Sequence, residues 1–180
     1  MQVISGKYKN QNINTLDDER THPMGSREKL ALFNMIYTYL PESRVLDAFA
    51  GSGALGIEAL SRGALHATFV ENNRFACKNI ADNLKKLNPT PLSTEVIANN
   101  VEDYAKGNIA IPFDVIFADP PYPIYNDELI KPLFKILAPG GILVLSHPHE
   151  NSTEAPTFKD AELLKSHSYA AATISIYKKV

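Results

Sequence analysis

The segment Gly51-Ser52-Gly53-Ala54-Leu55-Gly56 constrains this chain more than any other. It follows a short apolar run, Arg44-Val45-Leu46-Asp47-Ala48-Phe49, and opens a helical stretch that Gly63 closes. Glycines spaced this way between a strand and a helix let the backbone turn tightly and approach a ligand closely. The same alternation continues downstream. Residues 66–71 read as a second strand, again ending in an acid, Glu71. Residues 73–88 read as a helix with Phe75, Ile80, Leu84 and Leu87 on one side. A third strand is expected over 94–100, a fourth over 113–121, a helix over 126–137 and a fifth strand over 140–148. Two more strands, 162–169 and 172–178, have no helix-length segment between them. They should pair antiparallel, because parallel pairing needs a long crossover. The pattern predicts an α/β, Rossmann-like fold. Its mostly parallel sheet is covered on both faces, with a ligand site at the carboxyl ends of the strands.

Upstream, residues 1–15 read as a short hairpin, with Gln2–Ser5 and Asn12–Thr15 as arms and Gly6 and Asn10 in the turn. Such a hairpin carries little apolar surface and should contribute little to the core. After a loop with Pro23 and Gly25, Ser26 precedes an amphipathic helix whose apolar stripe is Leu30, Phe33, Ile36, Tyr37 and Leu40. At 180 residues the chain suits one domain, 1–180, made of a hairpin and loop (1–25) and a core (26–180). No apolar run approaches the ~20 residues that span a bilayer. The polar start has no secretory h-region. Cys77 is the only cysteine, so no internal disulfide can form. These features favour the cytoplasm.

The glycine loop alone would suit a dinucleotide, with Glu71 as the ribose acid. The residues before it argue otherwise. In a dinucleotide site the first glycine follows the strand almost at once, and the helix N-terminus receives the pyrophosphate. Here Ala48-Phe49-Ala50 intervene after the strand-end Asp47. A carboxylate facing that crevice repels a pyrophosphate and favours a cofactor with an ammonium group. S-adenosylmethionine carries an ammonium and a sulfonium, no phosphate, and a ribose diol that Glu71 can accept. A nicotinamide-dependent oxidoreductase stays open at this point.

Asp119-Pro120-Pro121-Tyr122 follows the fourth strand and so belongs at the same sheet edge. The exocyclic amine of a base is a poor nucleophile, because its lone pair is delocalised into the ring. Asp119 offers a side-chain oxygen and Pro120 a backbone carbonyl for its two N–H groups. Tyr122 can stack on the base, a contact worth roughly 1–3 kcal/mol. Placement then supplies most of the rate, and Asp119 can take the released proton. Asp119, Pro120, Pro121 and Tyr122 are therefore the catalytic candidates. Guanine N2 in RNA and adenine N6 in DNA both fit this chemistry. A non-catalytic RNA-binding scaffold would not need Asp119 and Tyr122.

With these motifs in place, the chain resembles the bacterial 16S ribosomal RNA guanine-N2 methyltransferase family, RsmD. The similarity covers nearly the whole chain. It includes the spacing Ile4-x-Gly6 to Ile13 in the hairpin, Arg27-Glu28 running to Ala31-Leu32-Phe33-Asn34, the block from Leu46 to Ala64, and Asp119-Pro120-Pro121-Tyr122. The block from Leu46 to Ala64 is highly specific, whereas the tetrad is shared by many amino-methyltransferases. The resemblance implies the seven-stranded class I methyltransferase sheet with its last strand reversed, and S-adenosylmethionine as cofactor. It places Asp47, Gly51 and Gly53 around the methionine part, Glu71 at the ribose and Asn100 and Val101 beside the adenine, with Phe49, Asn72 and Asp119 among the cofactor-binding residues. Ribosomal RNA within a small-subunit assembly particle is the implied partner, and nothing in the chain requires more than a monomer. Thr21-His22-Pro23-Met24 stands where the family usually has Arg-Pro-Thr, and Asn10-Gln11-Asn12 lacks the usual glycine and arginines.

Net charge is −2, so RNA contact must come from a local patch. Lys7, Lys9, Arg20, Arg27 and Lys29 are the basic candidates, interrupted by Asp17, Asp18, Glu19 and Glu28. Lys7, Lys9, His22, Arg27 and Tyr122 form the expected substrate-binding set. Cys77 reads as a packing residue. His147 and His149 have no accompanying ligand set, so no metal is expected.

Overall fold

The computed structural model describes residues 1–15, 24–89, 93–148, 155–169 and 172–180. In chain order it contains α1 (Ser26–Met35), β1 (Arg44–Asp47), α2 (Ala54–Ser61), β2 (His66–Glu71), α3 (Arg74–Leu87), β3 (Thr94–Ala98), α4 (Val101–Lys106), β4 (Phe113–Ala118), α5 (Asp127–Ile130), α6 (Leu133–Ile136), β5 (Leu137–Pro148), β6 (Ala161–Ser168) and β7 (Ala172–Lys179). The sheet has seven strands in the order β3-β2-β1-β4-β5-β7-β6. β1 to β5 run parallel, and β7 is antiparallel to both β5 and β6. Strand order reverses at β1, which pairs with β2 on one side and β4 on the other. That reversal opens the crevice in which such sheets bind ligands.

Strand alternation sorts the core into two layers. Val45, Phe69, Val115, Phe117, Ile142 and Val144 face one layer with α1, α2 and α3. Leu46, Val70, Ile116, Leu143 and Leu145 face the other with α4, α5 and α6. No helix among the described residues is long and apolar enough to cross a membrane.

The N-terminal segment differs from a two-stranded hairpin. It closes through one antiparallel bridge, Gln2 to Asn12. Val3, Tyr8 and Ile13 are buried against the α1–α3 layer, so this segment adds to the core after all. Each buried apolar side chain of this size contributes roughly 1.5–3 kcal/mol. The segment is also bolted down by polar groups. The Glu58 carboxylate, fully buried in α2, accepts the N–H groups of Ile4 (2.8 Å) and Ser5 (3.0 Å). It pairs with Arg62 at 2.7 Å and Lys29 at 3.5 Å.

Lys29 is therefore no surface cation. It belongs to the buried stripe of α1, which is Lys29, Leu32, Phe33 and Ile36, continued by Leu40. Leu30 and Tyr37 point outward instead. The stripe keeps helical spacing, but a lysine occupies one place on it because Glu58 neutralises its charge. Helix α1 starts at Ser26 with Gly25 as N-cap, and ends before a 3-10 turn over Tyr37–Tyr39. In α3 the buried stripe is Ala76, Ile80, Asn83 and Leu84. Phe75 is 79% exposed, one position off it. The expected helix over 126–137 is split, because Pro132 cannot donate in a helix interior. Helix α4 is an addition to the sequence reading, nucleated by the Asn100 side chain, which accepts the Asp103 N–H.

Candidate active site

Three carboxylates meet at the carboxyl ends of adjacent strands. Asp47 ends β1, Glu71 ends β2, and Asp119 follows the last residue of β4. Alternation directs all three to the α1–α3 side, in step with Val45, Phe69 and Phe117. The glycine loop between β1 and α2 is held by hydrogen bonds from Ala48 N–H to the Phe117 carbonyl and from Ala50 N–H to the Val70 carbonyl.

Gly51 and Gly53 both adopt positive φ, 53° and 78°. The Gly51 N–H donates to Glu71 Oε2 at 2.9 Å, and Asn73 N–H donates to Oε1 at 2.8 Å. Glu71 is thus fixed by two backbone donors across the loop it serves. The space where a Cβ of Gly51 would project is open. At Gly53 a Cβ would sit 3.3 Å from Ile80 and Phe69, and at Gly56 it would come within 2.4 Å of Phe69. The first glycine keeps open space clear, and the other two let α2 pack on β2.

Asp47 has only 2% of its surface exposed, and its Oδ2 accepts the Gly56 N–H at 2.9 Å, inside the first turn of α2. Burial pushes its pKa up to about 8, against the opposing pull of the Gly56 donor. Asp119 and then Glu71 add to the rise through like-charge repulsion, which shows that the three groups share one field. Asp119 is itself shifted upward by burial, while the Ser146 hydroxyl favours its ionised form. Phe49, partly buried, packs against the α4–α6 layer.

Beyond β4, Pro120 is buried and Pro121 exposed. The Pro121 carbonyl accepts the Ile124 N–H at 3.0 Å, whereas the Pro120 carbonyl accepts no hydrogen bond among the described residues. Tyr122 begins a 3-10 turn over Tyr122–Ile124. Its hydroxyl lies 3.3 Å from the Ser146 Oγ.

Past the end of β2, Asn72 is exposed between Glu71 and Asn73, the N-cap of α3. Asn100 is committed to capping: it accepts the Asp103 N–H at 2.8 Å and donates to the Asp103 carboxylate at 2.7 Å. Val101, buried at the first position of α4, has a backbone N–H with no partner inside the helix. Cys77 donates to the Glu71 carbonyl at 3.3 Å, which ties α3 to the end of β2.

Of the basic candidates, Lys7, Lys9 and Arg27 are exposed. Arg20, His22 and His149 lie outside the described residues. His147 is buried and bonded to Ser175 at 3.0 Å. Among the described residues no three His, Cys, Asp or Glu side chains cluster as metal ligands would.

Two polar residues that the sequence reading assigned no role make contacts around these segments. Asn83 donates to the carbonyls of Asn14 (2.9 Å) and Ser52 (3.3 Å), joining the N-terminal segment, the glycine loop and α3. Ser146 lies between Asp119 and Tyr122. Both were detectable as polar residues on otherwise apolar faces.

A family profile described as "Conserved hypothetical protein 95" matches residues 1–178. The Bacillus subtilis protein named "Putative rRNA methyltransferase YlbH" is 36% identical over 188 residues, covering 99% of each chain. "Ribosomal RNA small subunit methyltransferase D" of Haemophilus influenzae is 38% identical over 123 residues, or 68% of this chain and 64% of that one. The solved structure "Putative methyltransferase yhhF from Escherichia coli" superposes with a TM-score of 0.88 at 27% identity, covering 99% of this chain and 97% of the other. The family profile over residues 1–178 and the whole-length sequence similarity establish that this chain belongs to the conserved hypothetical protein 95 family, the RsmD family.

Proposed function

We propose that this protein transfers a methyl group from S-adenosylmethionine to the exocyclic N2 amine of a guanine in small-subunit ribosomal RNA. The observation that carries the reading is the Asp119 carboxyl and the Pro120 carbonyl, which accepts no hydrogen bond among the described residues, beside the Asp47–Glu71 crevice. The names of the relatives support the substrate class, since "rRNA methyltransferase" and "Ribosomal RNA small subunit methyltransferase D" are printed for them.

The crevice fits the cofactor. Open space in front of Gly51 admits it, Glu71 is oriented to accept a ribose diol, and the carboxylate field favours a cation. When bound, S-adenosylmethionine supplies an electrophilic methyl on sulfur. Asp119 and the Pro120 carbonyl accept the two amine N–H groups, which hold the nitrogen in line and encourage it to pyramidalise. Tyr122 presents its ring to the base, and stacking there contributes roughly 1–3 kcal/mol. Asp119 is placed to take the amine proton. The target base must be unpaired or flipped out to reach this depth.

Lys7, Lys9 and Arg27, with His22, are the proposed RNA contacts. A domain of this size has little surface for sequence readout, so recognition depends on folded RNA in a small-subunit assembly particle in the cytoplasm. The test is nucleoside mass analysis after reaction with small-subunit particles from a strain lacking the gene. N2-methylguanosine at one site is expected, and Asp119→Ala should abolish it while cofactor binding persists. Methylation of adenine in short duplex DNA, or an active Asp119→Ala variant, would overturn the reading.

A further inference from the structure

Ser146 stands out in β5. It is only 3% exposed and follows the apolar run Ile142–Leu145. The β4–β5 register aligns Ala118 with Leu145, so the next residues, Asp119 and Ser146, lie side by side. The Ser146 hydroxyl lies 3.3 Å from the Tyr122 hydroxyl, and it opposes the burial-driven upward shift of the neighbouring Asp119 carboxyl. A serine hydroxyl has one proton to give and two positions that accept. An ionised carboxylate can only accept. The hydroxyl can therefore donate to one of these neighbours while accepting from the other.

We infer that Ser146 is a positioning residue for methyl transfer: its hydroxyl joins the Asp119 carboxylate and the Tyr122 phenol into one unit, so the amine acceptor and the stacking ring are set together. This inference rests on the proposed function, which assigns Asp119 to the amine and Tyr122 to the base. Anchoring the far end of the Tyr122 side chain restrains the plane it offers to a base. On β1, Asp47, raised first by burial, is itself raised further by like-charge repulsion from Asp119 and Glu71. Ser175 on β7 is an equally buried serine, but it bonds His147 and Ser166 and has no contact with Asp119 or Tyr122.

The test compares Ser146→Ala, Ser146→Thr and Ser175→Ala in the full chain with two readouts. The first is titration of Tyr122 by ring-labelled tyrosine NMR without substrate, with Tyr122→Phe assigning the resonance. The second is the pH profile of methyl transfer to small-subunit particles. Ser146→Ala should move the Tyr122 titration upward, because the hydroxyl opposes the rise caused by burial. It should also move the acid limb of kcat to higher pH, because Asp119 loses a donor. kcat should fall about tenfold to a hundredfold, the usual cost of a hydrogen bond to a charged group, with KM changed far less. Ser146→Thr should restore both readouts, and Ser175→Ala should move neither. An unmoved Tyr122 titration and acid limb in Ser146→Ala, or equal shifts in Ser175→Ala, would overturn the inference. If the wild-type protein methylates no RNA, the proposed function fails, while the Tyr122 titration still decides whether Ser146 positions that ring.

Discussion

Asp47 illustrates how burial sets charge. Its carboxyl rises from an ordinary 3.8 to about 8, so near neutral pH the folded protein holds a proton there that the unfolded chain has released. The folded form is thus over-protonated between those values, and this residue's contribution to stability is lost as pH rises across that window. A cation bound in the crevice shifts the balance toward the ionised form. Binding of S-adenosylmethionine at pH 7 should therefore release up to one proton, and affinity should increase with pH until it levels off above about 8. Calorimetry in buffers of different ionisation enthalpy measures this directly, and proton uptake on binding would contradict it. Glu71→Ala removes a charged acceptor that two backbone donors orient. Cofactor affinity should fall by about 1–3 kcal/mol in the same titration.

At the scale of elements, the N-terminal segment depends on α2. Lys7 N–H donates to the Ser61 carbonyl at 2.7 Å, and Tyr8 N–H to the Ser61 Oγ at 2.9 Å. Gly6 sits at this junction with φ +83°, and a Cβ there would fall 1.7 Å from the Ser61 carbonyl oxygen. Gly6→Ala should undock the segment, visible as faster hydrogen exchange at Lys7 and Tyr8 while the sheet amides stay protected. Glu58→Ala goes further, because it strands the buried Lys29 ammonium as well as Arg62. Breaking a buried pair from one side costs about 3–5 kcal/mol. Urea unfolding should show that loss, and Glu58→Ala with Lys29→Met should recover part of it.

The whole molecule carries a net charge of −2, so attraction to RNA has to be local. Lys7 and Lys9 are exposed on a segment whose backbone is fixed to the core, which spares them part of the ordering cost that loop lysines meet. Replacing both with alanine should weaken RNA-particle binding and reduce the slope of log K against log salt by about one per lysine. Cofactor affinity should be unchanged. A slope that does not move would remove these residues from the interface.

The succession of strands along the chain, the helices α1 to α3, the glycine loop and the acids at strand ends were legible in the sequence, because each is a local pattern. Period-two runs, turn glycines and a Pro-Pro terminator depend on neighbours a few residues away. The tertiary structure alone decided which polar residues are buried and what they hold. Lys29 could enter an apolar stripe only because Glu58, far along the chain, meets it. Asn83 could join the buried face of α3 because Asn14 and Ser52 offered it carbonyls. Ser146 became a neighbour of Asp119 only through the β4–β5 register. A buried polar group is stable when distant partners satisfy it, and no local pattern in a sequence records where those partners will be.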